Sequence, residues 1–199
     1  MNEEAKGTKF QQLVKTATEL FMRHGIRRVP VEEICHTANV SKMTFYKYFK
    51  NKVDLAKYAI TQMVSEAIDK YRKLLDQDIP YLEKVKQMVN MKMEQTDGFS
   101  RDSLGEFIQS TEPEIAELLH RVRQESFQLI LRDFIEAQKK GDIRQDVKPE
   151  FILYFFNHIV EMISDEELAK LYDSPQALIM ELTNFFFYGI LPREQSNEK

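Results

Sequence analysis

Between Ser41 and Lys52 the chain gathers Lys42, Thr44, Tyr46, Lys47 and Tyr48, side chains that nearly all donate hydrogen bonds to phosphate oxygens or base edges. The chemistry they suit is binding to a nucleic acid. Lys42, Met43 and Thr44 are expected nearest the bases, with Lys42 as the base reader, because a lysine donates to guanine O6 and N7. Thr44, Tyr46, Tyr48 and Lys52 are expected to hold phosphates, which sets register and affinity more than sequence preference. Lys47 fits a phosphate, a base or plain solvent.

Two short helices must position this set. Val31, Ile34, Cys35 and Ala38 recur at helical spacing and give the first helix an apolar stripe. Asn39 can then enter the left-handed conformation and end that helix sharply. Val40 plugs the space between the helices, and Ser41 caps the second by accepting a backbone N–H. Phe45 and Phe49, four residues apart, anchor the donor-rich helix from its other face. A short helix, a tight turn and a donor-rich second helix meet the requirements of major-groove reading.

Over Leu13 to Ile60 the chain resembles the DNA-binding domain of the tetracycline-repressor (TetR) family of bacterial transcription regulators. The resemblance rests on an amphipathic first helix ending in LFMRHGI and on Ile34, Ala38, Val40 and Ser41. It continues through Thr44 to Phe49 (TFYKYF), with the basic KNK run and an aliphatic helix behind them. Three positions depart from the pattern: Asn39 where the family usually has Gly, Met43 where it usually has Gly or another small residue, and Val29-Pro30 where it usually has Ser or Thr. Pro30 can still open a helix at its first position, where its missing N–H has no partner to lose. The resemblance implies a repressor-like regulator that dimerises through its last two long helices.

Charge agrees with the motif. Residues 1–60 hold 11 Lys and Arg against 6 Asp and Glu, whereas the remainder holds 17 against 26, within a chain of formal net charge −4. A basic head on an acidic body concentrates attraction for a polyanion at one end. Six Gly and six Pro among 199 residues leave little room for long irregular loops, and helical periodicity runs nearly throughout. The single cysteine, Cys35, excludes an internal disulfide, fits a reducing cytosol and reads as a small core residue. The start, MNEEAKGTKF, lacks the apolar core of a signal peptide, and the longest apolar run, Phe185 to Leu191, is too short to span a bilayer. The expectation is a cytoplasmic protein without membrane contact.

Start and stop signals predict an all-α fold of about nine helices. A three-helix helix-turn-helix domain over 1–52 precedes a ligand-binding and dimerisation domain over 53–199. Helices are expected at about Lys9–Arg23, at the two sites above, and from Lys52 through Tyr71 to Leu75. Others follow at Tyr81–Gln95, Ser100–Gln109, Pro113–Lys140 and Pro149–Ser164, with a last one after Ser174-Pro175. Ser164 with Glu167 resembles a capping box opening a brief connecting helix.

The last two long helices are apolar around most of their circumference, so one buried stripe cannot account for them. Phe151, Tyr154, Phe155, Ile159, Leu178, Leu182, Phe185 and Phe186 are the expected contacts of a twofold homodimer, which also suits a reader of two half-sites in a palindromic operator. Met63, Ala67, Tyr71, Met88, Met91, Phe107, Phe127, Ile130 and Phe134 are expected to line a site for a small, mainly apolar inducer of unknown identity. His120 and His158 would supply its polar contacts. Two E-x-x-H pairs, Glu33 with His36 and Glu117 with His120, raise a helical-bundle metal site as an alternative. Such a site needs further inward carboxylates that the sequence does not supply. Neither a phosphate-binding loop nor a nucleophile elbow occurs, so no enzyme, metal or cofactor is expected. A helical interaction module that ignores DNA is the remaining alternative.

Overall fold

The structure is a computed structural model describing residues 3–192. Those residues form ten α-helices without a strand: α1 (Glu3–His24), α2 (Val31–Thr37), α3 (Lys42–Tyr48), α4 (Lys52–Leu75), α5 (Tyr81–Thr96), α6 (Arg101–Ile108), α7 (Pro113–Lys140), α8 (Pro149–Ser164), α9 (Glu166–Ala169) and α10 (Pro175–Gly189). The all-α reading is correct. The first helix begins earlier than its expected start at Lys9. Pro30 takes the cap position of α2 instead of its first turn, and supplies no side-chain bond there. α9 is capped by Asp165, whose carboxylate accepts from Leu168 N, and not by Ser164.

The chain divides into two compact units. The first holds the chain up to Ala67 together with Gly98–Val122; the second holds Ile68–Asp97 and the chain from Arg123 onward. The expected division after residue 52 lies inside the first unit, because the start of α4, all of α6 and the first turns of α7 share the core of the head. Leu13, Ala17 and Phe21 of α1, Ile34 and Cys35 of α2, Phe45 of α3, Leu55 and Ile60 of α4 and Ile115 and Leu118 of α7 pack in that one core. Phe10 extends it, its ring stacked at 5.5 Å from Phe49 and set edge-on to Tyr48 and Tyr58.

The second unit is built around Phe134, Ala137, Ile143, Ile152, Phe156, Phe186 and Ile190. α5 packs along α10, which also contacts α8. The link between α7 and α8 is tied down by Gln138, whose amide donates to Arg144 O at 2.8 Å and Val147 O at 2.7 Å. Arg144 in turn donates its backbone N–H to Ile190 O and its guanidinium to Gly189 O.

Candidate nucleic-acid interface

Three local devices set the pose of α3. Asn39 adopts φ 51°, the left-handed region that its short amide tolerates, and so ends the α2 segment. Val40 is buried behind it. Ser41 caps α3, its hydroxyl accepting from Thr44 N at 3.1 Å and lying 2.9 Å from the Thr44 hydroxyl. Such a cap stabilises a helix by about 1 kcal/mol, a large share for a seven-residue element. Phe45 is fully buried and Phe49 nearly so, which turns the opposite face outward. There Ser41, Lys42, Met43, Tyr46 and Lys47 are exposed, while Thr44 and Tyr48 are partly covered. Met43 stands out at 83% exposure, an unbranched apolar side chain held on the most prominent turn of the helix.

Two of the expected contacts are already engaged. The Lys42 ammonium pairs with Glu32 at the start of α2, which raises the lysine pKa and lowers that of the acid. Lys52 departs further from its expected role as a phosphate holder. Its ammonium donates to Arg27 O at 3.0 Å and Val29 O at 2.9 Å, and burial depresses its pKa. With three donors in all, it keeps one for a phosphate. Lys52 thereby fastens the first turn of α4 to the segment entering α2. The signal was legible, since a lysine at the first turn of a helix can reach carbonyls of a preceding loop, but nothing in the sequence names the loop.

Sequence reasoning missed a second fastening, made by α6 within the same unit. The Glu106 carboxylate accepts from Arg27 N at 2.9 Å and lies 3.9 Å from its guanidinium, and Arg28 pairs with Asp102 at 2.5 Å. Ser100 donates its backbone N–H to Met22 O, and the buried Ser103 hydroxyl donates to the same carbonyl. Gly25, at φ +83°, lets the carboxylate come this close: a Cβ there would stand 2.9 Å from Glu106 Oε1. The loop from α1 to α2 is thus held on one side by α4 and on another by α6.

The expected effector residues are distributed over the two units. Met63, Ala67, Phe107 and His120 belong to the first unit, and Tyr71, Met88, Met91, Phe127, Ile130, Phe134 and His158 to the second. Phe107 meets Phe99 edge-on and packs against the first core, while Phe127 stacks on Phe156 and Phe134 is buried in the second. His120 is exposed on α7, so it offers no inward hydrogen bond. His158 faces its own helix instead: its Nδ1 lies 2.8 Å from Tyr154 O and its ring stacks on Tyr154. One unexpected polar group does point inward. Asp133 sits on α7 between Ile130 and Ala137, and its Oδ2 is buried. Its spacing from those two apolar residues was the readable sign, a carboxylate on the core-facing stripe.

The expected dimer contacts also divide. Leu178, Leu182 and Phe186 form the buried stripe of α10, so they are committed to the interior of the chain itself. Phe155 and Ile159 are partly covered. Phe151 and Tyr154 on α8 and Phe185 on α10 are exposed, Phe185 by 76%, joined by Tyr188 and Met162. Glu33, His36, Glu117 and His120 are all exposed, and among the described residues no three His, Cys, Asp or Glu side chains gather as a metal site. Among the same residues, no helix is long and apolar enough to cross a membrane.

Comparison with known proteins places this geometry. The model of the tetR family of bacterial regulatory proteins matches residues 13–59, the segment from α1 into α4. The HTH-type transcriptional regulator LuxR of Vibrio harveyi is 27% identical over 151 residues, 75% of this chain and 74% of its own. A fatty acid degradation regulator, FadR of Bacillus halodurans, superposes with a TM-score of 0.67 at 21% identity, over 93% of this chain and 97% of its own. A putative transcriptional regulator of Saccharomonospora viridis, solved in complex with choline, gives 0.70 at 22% identity over 96% and 100%. These structural likenesses speak for the fold, and the sequence relatives are transcription regulators and not enzymes. With its capped reading helix and the family match over that same segment, the chain carries, over residues 13–59, the helix-turn-helix DNA-binding domain of the tetR family of bacterial regulatory proteins, and the relatives it resembles in sequence are transcription regulators.

Proposed function

We propose that the protein is a ligand-responsive repressor, bound to a palindromic operator as a homodimer and released by a small molecule. The observation that carries the reading is α3 itself: a capped helix with its aromatic side buried and Lys42, Met43, Tyr46 and Lys47 outward. Lys42, Met43 and Thr44 face the bases, while Tyr46, Tyr48 and the remaining donor of Lys52 take phosphates. Two such heads need two subunits, with half-sites about 34 Å apart. The exposed aromatic side chains of α8 and α10 supply the surface, since Phe151, Tyr154, Phe185 and Tyr188 stay exposed in the single chain.

The effector binds the second unit. α4 and α7 each contribute residues to both units, so a shift at their 68–75 or 123–140 segments is carried along continuous helices. DNA selects one head spacing, and a ligand favouring another weakens DNA binding by the same coupling free energy that DNA imposes on the ligand. Relatives of this fold supply precedent for small ligands, as in the choline complex of the Saccharomonospora viridis protein. The test is release of a fluorescent operator duplex, read by anisotropy across a small-molecule collection. The reading expects some compound to lower operator affinity and operator to lower that compound's affinity equally. A compound that binds tightly while both DNA affinity and head separation stay unchanged would contradict it.

A further inference from the structure

We propose that Asp133, with Tyr71 and Tyr81, forms the polar end of an effector site in the second unit, and that the effector carries a cationic nitrogen on an apolar body. This rests on the ligand-responsive reading above and names its ligand class. Asp133 lies on the stripe of α7 that carries Ile130, Phe134 and Ala137 into the second core. Its Oδ2 is buried and, among the described residues, has no hydrogen-bond partner. Burial and the neighbouring Asp133 charge together push the Tyr71 pKa well up. Tyr81, packed against that core, feels the charge of both Asp133 and Asp142.

A buried carboxylate oxygen without a donor is costly, by more than a typical completed hydrogen bond returns. Natural folds leave such atoms where something else completes them. The chemistry of this cluster selects the missing partner. A second acid near Tyr81 adds negative potential, and aromatic rings in general attract organic cations. A hydrogen bond from a cation to an ionised acceptor is roughly twice as strong as a neutral one. Arg72 and Arg132 act on Asp133 only at a distance; both are exposed, and neither bonds to Oδ2. Burial accordingly still holds the Asp133 carboxyl above its ordinary pKa, and the two tyrosines are likewise pushed well up, so the hydroxyls remain donors. The partly covered side chains of Ile130 and Phe127, about one and two turns before Asp133, suit an apolar body.

The test uses the full-length protein and three probes of one chain length, n-decylammonium, n-decanol and n-decanoate, titrated calorimetrically at pH 7. Decylammonium is expected to bind at least tenfold more tightly than either other probe. Asp133→Asn is expected to erase that preference while melting no lower than wild type, and Tyr71→Phe to keep it. Equal binding of the three probes, no binding of decylammonium, or a preference that survives Asp133→Asn would each overturn the cation site. Operator release is read separately. Asp133-dependent binding of decylammonium that leaves operator bound upholds the site and removes the regulatory reading. Release by decanol or decanoate alone does the reverse.

Discussion

Lys42 is already paired with Glu32, so the proposed base contact requires it to exchange a carboxylate for a guanine edge. Lys42→Ala should reduce discrimination at one base position by about 1–3 kcal/mol. Glu32→Gln leaves the lysine uncommitted and removes a negative charge beside the phosphates, so it should tighten binding to selected and scrambled duplexes alike. Fluorescence anisotropy on both duplexes checks the pair. Asp133 gives a second prediction, in pH. Burial holds its folded carboxyl above the ordinary pKa of an aspartate, so burying it costs stability once it ionises. That cost is absent below the unfolded pKa and appears as pH rises through the raised folded one. Asp133→Asn should therefore melt higher than wild type at pH 7, with the gap closing as pH falls toward 4. Both residues show what a sequence conceals. The donor set on α3 was legible because its neighbours, Ser41, Phe45 and Phe49, fix which face turns out. Glu32 was invisible as its partner, since their distance depends on the crossing of two helices. Asp133 was readable by spacing alone, yet a lone acid within a long apolar stripe looks like an interruption until its buried oxygen is seen.

Helices α4 and α6 hold the loop entering α2 from two directions, and this shapes expectations for the element. Gly25, Gly98 and Gly141 all have φ near +80°, so alanine at any of them costs about 1–2 kcal/mol of backbone strain. Only at Gly25 would the new methyl also push a carboxylate off its bond to Arg27 N, as nothing lies within 4 Å at the other two. Gly25→Ala should lower the melting temperature more than Gly98→Ala or Gly141→Ala. That excess should vanish in a Glu106→Ala background, as a double-mutant cycle would show. Lys52→Ala should cost the head about 1 kcal/mol after solvent screening, together with its loss of DNA affinity. Helix ends were the most legible level, because Gly, Pro, Ser and Asn announce them locally. The α6 fastening was not, because it joins residues 79 positions apart through a charged contact that periodicity does not encode.

At the scale of the whole molecule, the amphipathic stripes of α10 separate folding from assembly. Phe186 stacks on Phe155 and is buried in its own subunit, whereas Phe185 is exposed. Phe185→Glu should leave a folded protein that sediments as a monomer and loses cooperative operator binding. Phe186→Glu should unfold the second unit, since removing a buried phenyl ring alone costs about 3–5 kcal/mol. Circular dichroism with analytical ultracentrifugation distinguishes the two. The sequence revealed that these helices had more than one apolar face, but not which face the core takes; that depends on where α5 lies along α10. Two heads on one assembly are the centre of the account, and selection of bound duplexes from a random pool tests them most directly. The account predicts enrichment of a twofold-symmetric sequence with half-site centres about 10 base pairs apart, bound by two chains, with base preference altered by Lys42→Ala and Met43→Ala. Failure to enrich any sequence, or an enriched site whose preference both variants leave unchanged, would contradict it.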